Sequence, residues 1–172
     1  MVLFPRDLHV SRSLRRTIRS TRFSVTLDRA FDAVMEGCAA PRPQQDGTWI
    51  TVDMIAAYAR LAELGYAHSV ETWEGSELVG GLYGVALGRV FYGESMFSRR
   101  SDGSKVALTH LARQLDRWKF VVIDCQMATG HLASLGAREI PRDDFLRYVR
   151  SGTAQPAVRA PWRFDDDLMS DL

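Results

Sequence analysis

The chain has 172 residues, of which 46% are hydrophobic, and its 22 basic and 21 acidic side chains give a formal net charge of +1. These values are typical of a globular protein with one domain, or with one domain and an appendage. No run of eighteen apolar residues is present, and the first twenty residues carry six charges without the apolar core of a signal peptide, so we expect neither a membrane span nor a secretion signal, but a cytoplasmic protein.

The first feature in chain order is a basic segment. Within the first 22 residues a single acid, Asp7, faces six arginines: Arg6, Arg12, Arg15, Arg16, Arg19 and Arg22. A segment of this density can bind nucleic acid, because each cation that neutralises a phosphate releases counterions. It can also be a solvated helix face, and charge alone leaves both interpretations open.

The pattern next predicts one strand and two helices. The strand covers residues 23–27, and Asp28 is the predicted N-cap of the helix that follows it. A polar, proline-containing stretch from Ala40 predicts a surface loop. Thr51 is the predicted cap of the second helix, which ends at Gly65.

Alternating polar and apolar residues from Tyr66 to Phe97, with a turn at residues 75–76, predict an antiparallel meander of strands. Glycine weakens a strand, so glycines within the meander indicate bulges or places where another backbone or a ligand comes close. The glycines concerned are Gly80, Gly81, Gly84 and Gly93.

The second half predicts a helix capped by Ser104, a buried strand over residues 120–127, a short helix over 131–137 and a helix over 142–150. We expect residues 151–172 to form a tail that frays. This order predicts an α+β fold with a mixed, largely antiparallel sheet and flanking helices, of the acetyltransferase-like (GNAT-like) type. The domain is predicted to cover residues 1–150.

Asp124 and Gln126 are the first candidates for chemistry, because they interrupt an apolar run at a strand end. Alternation places their side chains on one face and Cys125 on the other. A carboxylate there can accept a proton from a nucleophile, while the amide donates and accepts hydrogen bonds. An acid at a strand end can equally cap a nearby loop, and the residues alone leave this open.

Cys125 is a further candidate, as a nucleophile with His110 or His131 as its base. Alternation separates it from Asp124, and apolar neighbours tend to raise the pKa of a thiol, so we expect an inert side chain. The two cysteines, Cys38 and Cys125, and the four histidines lack the spacing of a metal site, so we expect no metal.

Glu94 follows a glycine and lies among aromatic residues. Such an acid suits an ammonium group whose apolar side chain contacts the walls, although it can also be an exposed acid on an edge strand. Strict alternation places Phe91 and Glu94 on opposite faces, so a shared pocket requires a bulge at Gly93. Trp49 and Tyr58 can extend such a pocket, although large aromatic residues more often belong to a core.

The sequence closely resembles the bacterial leucyl/phenylalanyl-tRNA–protein transferases. The similarity runs from about Leu8 to Arg142 and includes "LHVSRSLRR", "GTWIT", "LVGGLYGVALGRVFYGESMFSR", "IDCQ" and "HLASLGAREIPR". The resemblance implies an acetyltransferase-like fold and transfer of Leu or Phe, and less readily Met, from tRNA to the N-terminal Arg or Lys of a protein, which marks that protein for degradation. It implies no cofactor, and we expect a monomer.

The resemblance also implies roles for individual residues. Asp124 and Gln126 match the catalytic pair, with Asp124 accepting a proton from the acceptor amine and Gln126 orienting it. Glu94 matches an acid near the donor amino acid. Positions around the apolar pocket and the terminal adenosine are Trp49, Tyr58, Leu82, Phe91 and Leu108. The predicted tRNA-binding residues are Arg12, Arg15, Arg16, Arg19, Arg99, Arg100 and Lys105.

Two departures from the family pattern are visible. Family members carry a further N-terminal segment with "FPW" and "WWSP" elements, which this sequence lacks, and Thr129 replaces an asparagine found in some members. Two alternatives stay open: an acyltransferase that uses acyl-CoA, which the predicted fold favours, and an inactive tRNA-binding remnant, which the short N-terminus would leave. The sequence lacks the glycine-spaced pyrophosphate loop expected of acyl-CoA users, which disfavours the first.

Overall fold

The computed structural model describes residues 1–41 and 50–172, so the predictions for Trp49 and for most of the loop after Ala40 lie outside the described residues. The helices are α1 (Arg12–Arg19), α2 (Phe31–Ala39), α3 (Val52–Glu63), α4 (Gly103–Arg117), α5 (Gly130–Ala133) and α6 (Arg142–Thr153). The strands are β1 (Val2–Leu3), β2 (Ser24–Leu27), β3 (Ala67–Glu74), β4 (Glu77–Leu87), β5 (Val90–Ser98) and β6 (Val122–Asp124).

The strands form one sheet in the order β1-β6-β5-β4-β3-β2. All neighbouring pairs are antiparallel except β5 and β6, which are parallel. The predicted α+β class and the predicted meander, which is β3 to β5, are therefore confirmed. Strand β1 was not predicted; it forms because Val2 and Leu3 pair with Asp124 and Ile123 across more than a hundred residues of sequence.

The helix caps test the local predictions. Thr51 caps α3 as predicted, since its side chain accepts the N–H of Met54 at 3.3 Å. The prediction for Asp28 is wrong: α2 has Ala30 at its N-cap, and the Asp28 carboxylate accepts the N–H of Ser69 at 2.9 Å instead. The prediction that Ser104 caps α4 is also wrong, because the N-cap is Asp102.

The start of α4 packs directly on the sheet at Gly80. A Cβ at this position would lie 2.6 Å from the carbonyl carbon of Gly103, so the backbones approach more closely than any side chain allows. This contact buries Ser104 and confirms that Gly80 marks a close approach. The predicted strand at 120–127 is shorter than expected, because Gln126 has a φ of 57° and ends the extended chain.

The two faces of the sheet have separate cores, as alternation along a strand requires. Leu82 and Phe91 pack with the apolar side of α4 on one face. Tyr83 and Phe97 pack with α2 on the other. Complete burial of such a side chain contributes about 1.5–3 kcal/mol, so these contacts fix α2 and α4 firmly against β4 and β5.

The prediction that the tail frays is wrong. Trp162 is 2% exposed, and its ring stacks on that of His68 with the centroids 3.5 Å apart. Leu168 is equally buried. The apolar residues between the aspartates provide the burial that a fraying segment lacks. Among the described residues, no helix combines the length and apolarity that crossing a bilayer requires.

Candidate active site

The candidate site lies beside the part of β5 that β6 does not reach. Strand β6 pairs with β5 only along Val90–Tyr92 and then ends at Asp124. From Gly93 to Ser98, β5 has β4 as its only partner among the described strands. A cavity of about 670 Å³ occupies this gap. Its apolar walls include Leu82, Phe91, Met96, Leu108, Leu111 and Ile123, and its polar lining includes Glu94, Gln126, Thr129 and His131.

A β-bulge brings Glu94 into the same cavity as Phe91. Tyr83 pairs with Ser95 and Gly84 pairs with Gly93, so Glu94 is an extra residue in β5 without a partner in β4. Such a bulge turns a side chain toward a different direction. The prediction that a shared pocket requires a bulge at this position is confirmed, since both residues line the cavity.

Gly84 makes room for this arrangement. A Cβ there would overlap the carbonyl oxygen of Tyr92 and would lie 2.5 Å from the nearest atom of the Phe91 ring. Only glycine allows the ring to lie this close to β4. Gly84 in β4 therefore positions the apolar wall of the site, and the bulge at Gly93 and Glu94 in β5 positions its acid.

Glu94, Asp124 and Gln126, which we call the polar trio, are joined by hydrogen bonds. The Gln126 side chain donates from Nε2 to Glu94 Oε2 at 3.1 Å, and its backbone N–H donates to Asp124 Oδ1 at 2.9 Å. A carboxylate without a proton only accepts, so Glu94 faces the nitrogen of the amide. The amide oxygen Oε1 is thus directed away from Glu94, where it can accept a hydrogen bond from a ligand.

Asp124 contributes to the site in a different way from that expected. Ile123 and Cys125 line the cavity, whereas Asp124 is not among the described lining residues. Alternation fails here because the φ of 57° at Gln126 ends the strand. The Asp124 carboxylate caps the turn and so fixes the backbone of Gln126. Capping of a nearby loop was the second of the two roles that the sequence left open for this acid. Its catalytic role stays a prediction.

Tyr58 supports Glu94 from α3. Burial, the negative charge of Glu94 and a hydrogen bond to Glu94 raise the pKa of Tyr58 to about 12, so the phenol keeps its proton at neutral pH and can donate it in a hydrogen bond to that carboxylate. The ring packs edge-on against Tyr83 with a centroid distance of 5.2 Å. Tyr58 is not among the described residues that line the cavity, and its predicted contact with the donor stays a prediction.

Two further side chains in the lining bear on chemistry. Burial, followed by the charge of Asp124, raises the pKa of Cys125 to about 11, which agrees with an inert thiol. Burial, followed by the charge of Lys105, lowers the pKa of His131. The His131 Nε2 atom is buried and lacks a hydrogen-bond partner in the described part of the chain.

Several lining residues were not identified from the sequence. Leu111 follows Leu108 by three positions, so helical spacing could have placed both on one face of α4. Met96 and Ile123 gave no such signal, because their place in the lining depends on the bulge and on the end of β6, and His131 was considered only as a base for Cys125. Thr129 caps α5 by accepting the N–H of Leu132 at 3.2 Å.

The predicted tRNA-binding residues lie in two groups. Exposed side chains on α1 belong to Arg12, Arg15, Arg16 and Arg19. Arg99 lines the cavity. Arg100 pairs with Glu74 at 3.4 Å and with Glu77 at 3.3 Å, and Lys105 pairs with Asp102 at 3.7 Å, so these two cations are already partnered by acids.

Comparison with known sequences identifies the class of protein to which this fold and cavity belong. A sequence profile described as leucyl/phenylalanyl-tRNA protein transferase matches residues 2–150. The matched range contains every strand of the sheet described above and the whole polar trio. The similarity found in the sequence stretches is therefore confirmed over most of the chain.

Three curated proteins named leucyl/phenylalanyl-tRNA–protein transferase extend this match. The protein from Nitrosomonas europaea is 57% identical over 165 residues, which cover 96% of this chain and 70% of that protein. The proteins from Nitrosospira multiformis and Thiobacillus denitrificans are both 58% identical, covering 97% and 96% of this chain and 72% of their own lengths. The chain belongs to the leucyl/phenylalanyl-tRNA protein transferase family.

Among solved structures, a conserved protein of unknown function from Staphylococcus epidermidis aligns over 81% of this chain and 63% of its own. The TM-score is 0.32 and the sequence identity 11%. This similarity is too low to bear on fold or function.

Proposed function

We propose that the chain transfers a leucyl or phenylalanyl group from its tRNA to the N-terminal amino group of a protein that begins with Arg or Lys. The observation that supports this most directly is the polar trio at an apolar cavity. The names of the relatives support the donor and the kind of acceptor. Charged tRNA is a cytoplasmic substrate, which supports a cytoplasmic location.

The donor side chain would occupy the apolar part of the cavity. A volume of about 670 Å³ lies within the usual range of roughly 300–1,000 Å³ for ligand pockets. The walls at Leu82, Phe91 and Leu108 offer no hydrogen bond from their side chains, so they select by size and apolarity. Such a pocket separates side chains that differ by one methylene by only about 1–3 kcal/mol, and use of Leu, Phe and Met by one enzyme follows.

The polar trio would arrange the two reacting groups. Glu94 binds the α-ammonium of the donor amino acid, and Gln126 Oε1 accepts an N–H of the acceptor amine. The amine nitrogen then attacks the ester carbonyl carbon, the bond from that carbon to the ribose oxygen breaks, and the amine proton passes to the ribose oxygen. Positioning of the two substrates supplies most of the acceleration.

The reaction places modest demands on acid–base chemistry. An α-amino group has a pKa of about 7.7–8.0, so a substantial fraction of the acceptor is already neutral near pH 7.5. An ester is a better acyl donor than the amide that forms, and no further energy source is needed. Asp124, which fixes the Gln126 backbone, acts in this scheme as a positioning residue.

The finer assignment of the fold is also part of the proposal. The mixed sheet, the parallel pair β5 and β6, and the gap that follows that pair support an acetyltransferase-like fold. In this arrangement the donor enters the gap beside β5, and the helices α2 and α4 close it on either side.

The test is direct. The purified chain is given phenylalanyl-tRNA and a peptide that begins with Arg, and mass spectrometry measures the Phe-Arg product. A peptide with an acetylated N-terminus is the control, since it offers no α-amine. Glu94→Gln should lower transfer, and Asp143→Asn, in the exposed first turn of α6, should leave it unchanged. Binding of tRNA without transfer by the wild-type chain, or transfer from phenylalanyl-CoA instead, would overturn the proposal.

A further inference from the structure

A second cleft lies between α1, α4 and the segment of residues 165–172, which we call the acidic segment. The cleft has a volume of about 270 Å³. Four guanidinium groups border it, from Arg6, Arg15, Arg113 and Arg117, against the two carboxylates of Asp116 and Asp171. We call this the arginine cleft. Guanidinium groups match the geometry of phosphate oxygens, so the side chains suit a phosphate-bearing partner.

The acidic segment covers part of these cations. Arg117 bonds to the carboxylate of Asp165 at 2.9 Å and also pairs with that of Asp167. Arg113 pairs with the carboxylate of Asp171. Next to the cleft, Arg19 donates from Nε to the main-chain oxygen of Leu172. Carboxylates and main-chain oxygens of the acidic segment therefore already accept hydrogen bonds from these guanidinium groups.

The carboxylates are not what attaches the segment. Leu168 is 2% exposed, and the backbone N–H of Asp165 donates to the Gln114 side chain at 2.8 Å. By contrast, the side chains of Asp167 and Asp171 in the ion pairs are about 70% exposed, at 72% and 69%. Ion pairs this exposed add little to stability. The segment would thus keep its place after its acids were neutralised.

The arginine cleft is within reach of a tRNA whose 3′ end lies in the active-site cavity. Leu108 and Leu111 line that cavity, and Arg117 lies on the same helix. With a rise of 1.5 Å per residue, Arg117 is about 14 Å along the axis from Leu108. A nucleic-acid duplex presents one negative charge for about every 1.7 Å of its axis, so backbone phosphates are available at this distance.

We propose that the arginine cleft binds backbone phosphates of the donor tRNA and that the acidic segment competes with them for Arg113 and Arg117. The inference rests on the proposed function, because the partner is its donor. Arg113 and Arg117 join the cations on α1 in one surface. The acidic segment lowers the affinity of that surface for RNA and thereby favours release of the tRNA after transfer.

The first experiment neutralises the segment. The variant Asp165→Asn, Asp167→Asn and Asp171→Asn keeps the side-chain volume and removes three negative charges. The matched control, Glu139→Gln, Asp143→Asn and Asp144→Asn, makes the same change in charge near and on α6. Dissociation constants for tRNA are measured at salt concentrations from about 0.05 to about 0.2 M. Thermal melts verify that both variants fold. We expect the first variant to bind at least about threefold more tightly than the control, with a salt slope steeper by roughly 1 to 2.

A second experiment separates competition from long-range repulsion. Arg117→Gln in the wild-type chain should change the affinity by less than about twofold, because its guanidinium is already paired. The same substitution in the neutralised variant should remove most of the gain. Equal effects of Arg117→Gln in both backgrounds, or equal affinity of the neutralised variant and its control, would overturn the proposal.

The two proposals fail in distinguishable ways. If tRNA binds with the expected coupling but no Phe-Arg product forms, the proposed function is wrong and the cleft stands as an RNA-binding surface. If product forms and the coupling is absent, only the cleft proposal is wrong. If the chain binds no tRNA at all, both are overturned.

Discussion

Replacement of Asp124 by two different residues distinguishes its possible roles. Asp124→Ala removes the oxygen that accepts the Gln126 N–H at 2.9 Å. Asp124→Asn keeps an oxygen acceptor of the same size but removes the negative charge. If Asp124 acts by fixing Gln126, the asparagine variant should retain most activity and the alanine variant should not.

The size of the effect follows from the hydrogen bond. A hydrogen bond to a charged group contributes about 1.5–3 kcal/mol, and we take the lower end because this bond is exposed to solvent. Each 1.36 kcal/mol corresponds to about a tenfold change in rate. Asp124→Ala should therefore slow transfer by roughly 10- to 30-fold, while Asp124→Asn should stay within about threefold of wild type.

The assay is single-turnover transfer from phenylalanyl-tRNA to an Arg peptide, with enzyme in excess, over a range of pH. Asp143→Asn, in the exposed first turn of α6, serves as the control. A proton acceptor lost from the mechanism would slow the reaction by about 10²–10⁴ in both variants of Asp124 and would change the pH profile. An asparagine variant as slow as the alanine variant would refute the positioning role.

Three further predictions concern the fold around the site. Gly84→Ala, whose Cβ would meet the Phe91 ring, should lower the free energy of unfolding in denaturant by about 1–3 kcal/mol. The control Gly130→Ala, whose Cβ would meet open space, should change it little, and equal free energies of unfolding for the two variants would contradict the packing argument. Burial raises the pKa of Cys125 to about 11, so only about 0.1% of this thiol is ionised at pH 8. Iodoacetamide should therefore react far more slowly with Cys125 in the folded than in the unfolded chain, which mass spectrometry can follow, and equal rates would contradict the raised pKa. Burial, and less so Arg113, lowers the pKa of His110 in the folded state, so the unfolded chain takes up a proton near pH 6.5 that the folded chain does not, and stability should fall as the pH drops below about 6.5. His110→Gln should therefore make the melting temperature less dependent on pH between about 6.5 and 5. An unchanged dependence in this variant would contradict the prediction.

The meander and the main helices could be predicted because their signals are local. Alternation identified β3 to β5, and the apolar spacing identified α2, α3 and α4. The bulge at Glu94 was also accessible, since a glycine next to an acid of the wrong parity indicates it. These features need only a few neighbouring residues to define them.

Other features depend on contacts between distant parts of the chain. Strand β1 exists because Val2 pairs with Asp124, and Asp28 turns away from its helix because Ser69 offers an N–H. The positive φ of Gln126 has no sequence signal of the kind that glycine gives. The burial of Trp162 required knowledge of where the tail meets β3.

At the extra residue in β5, a requirement of the fold and a requirement of the site conflict. Deletion of one residue at Glu94 would restore an unbroken ladder of hydrogen bonds with β4, which a sheet ordinarily favours. It would also take the acid out of the cavity, while Ser95 and the residues after it would keep their partners in β4. A search for thermostable variants of this protein should therefore leave the irregularity intact, because a more regular strand would be obtained at the expense of the acid in the proposed active site.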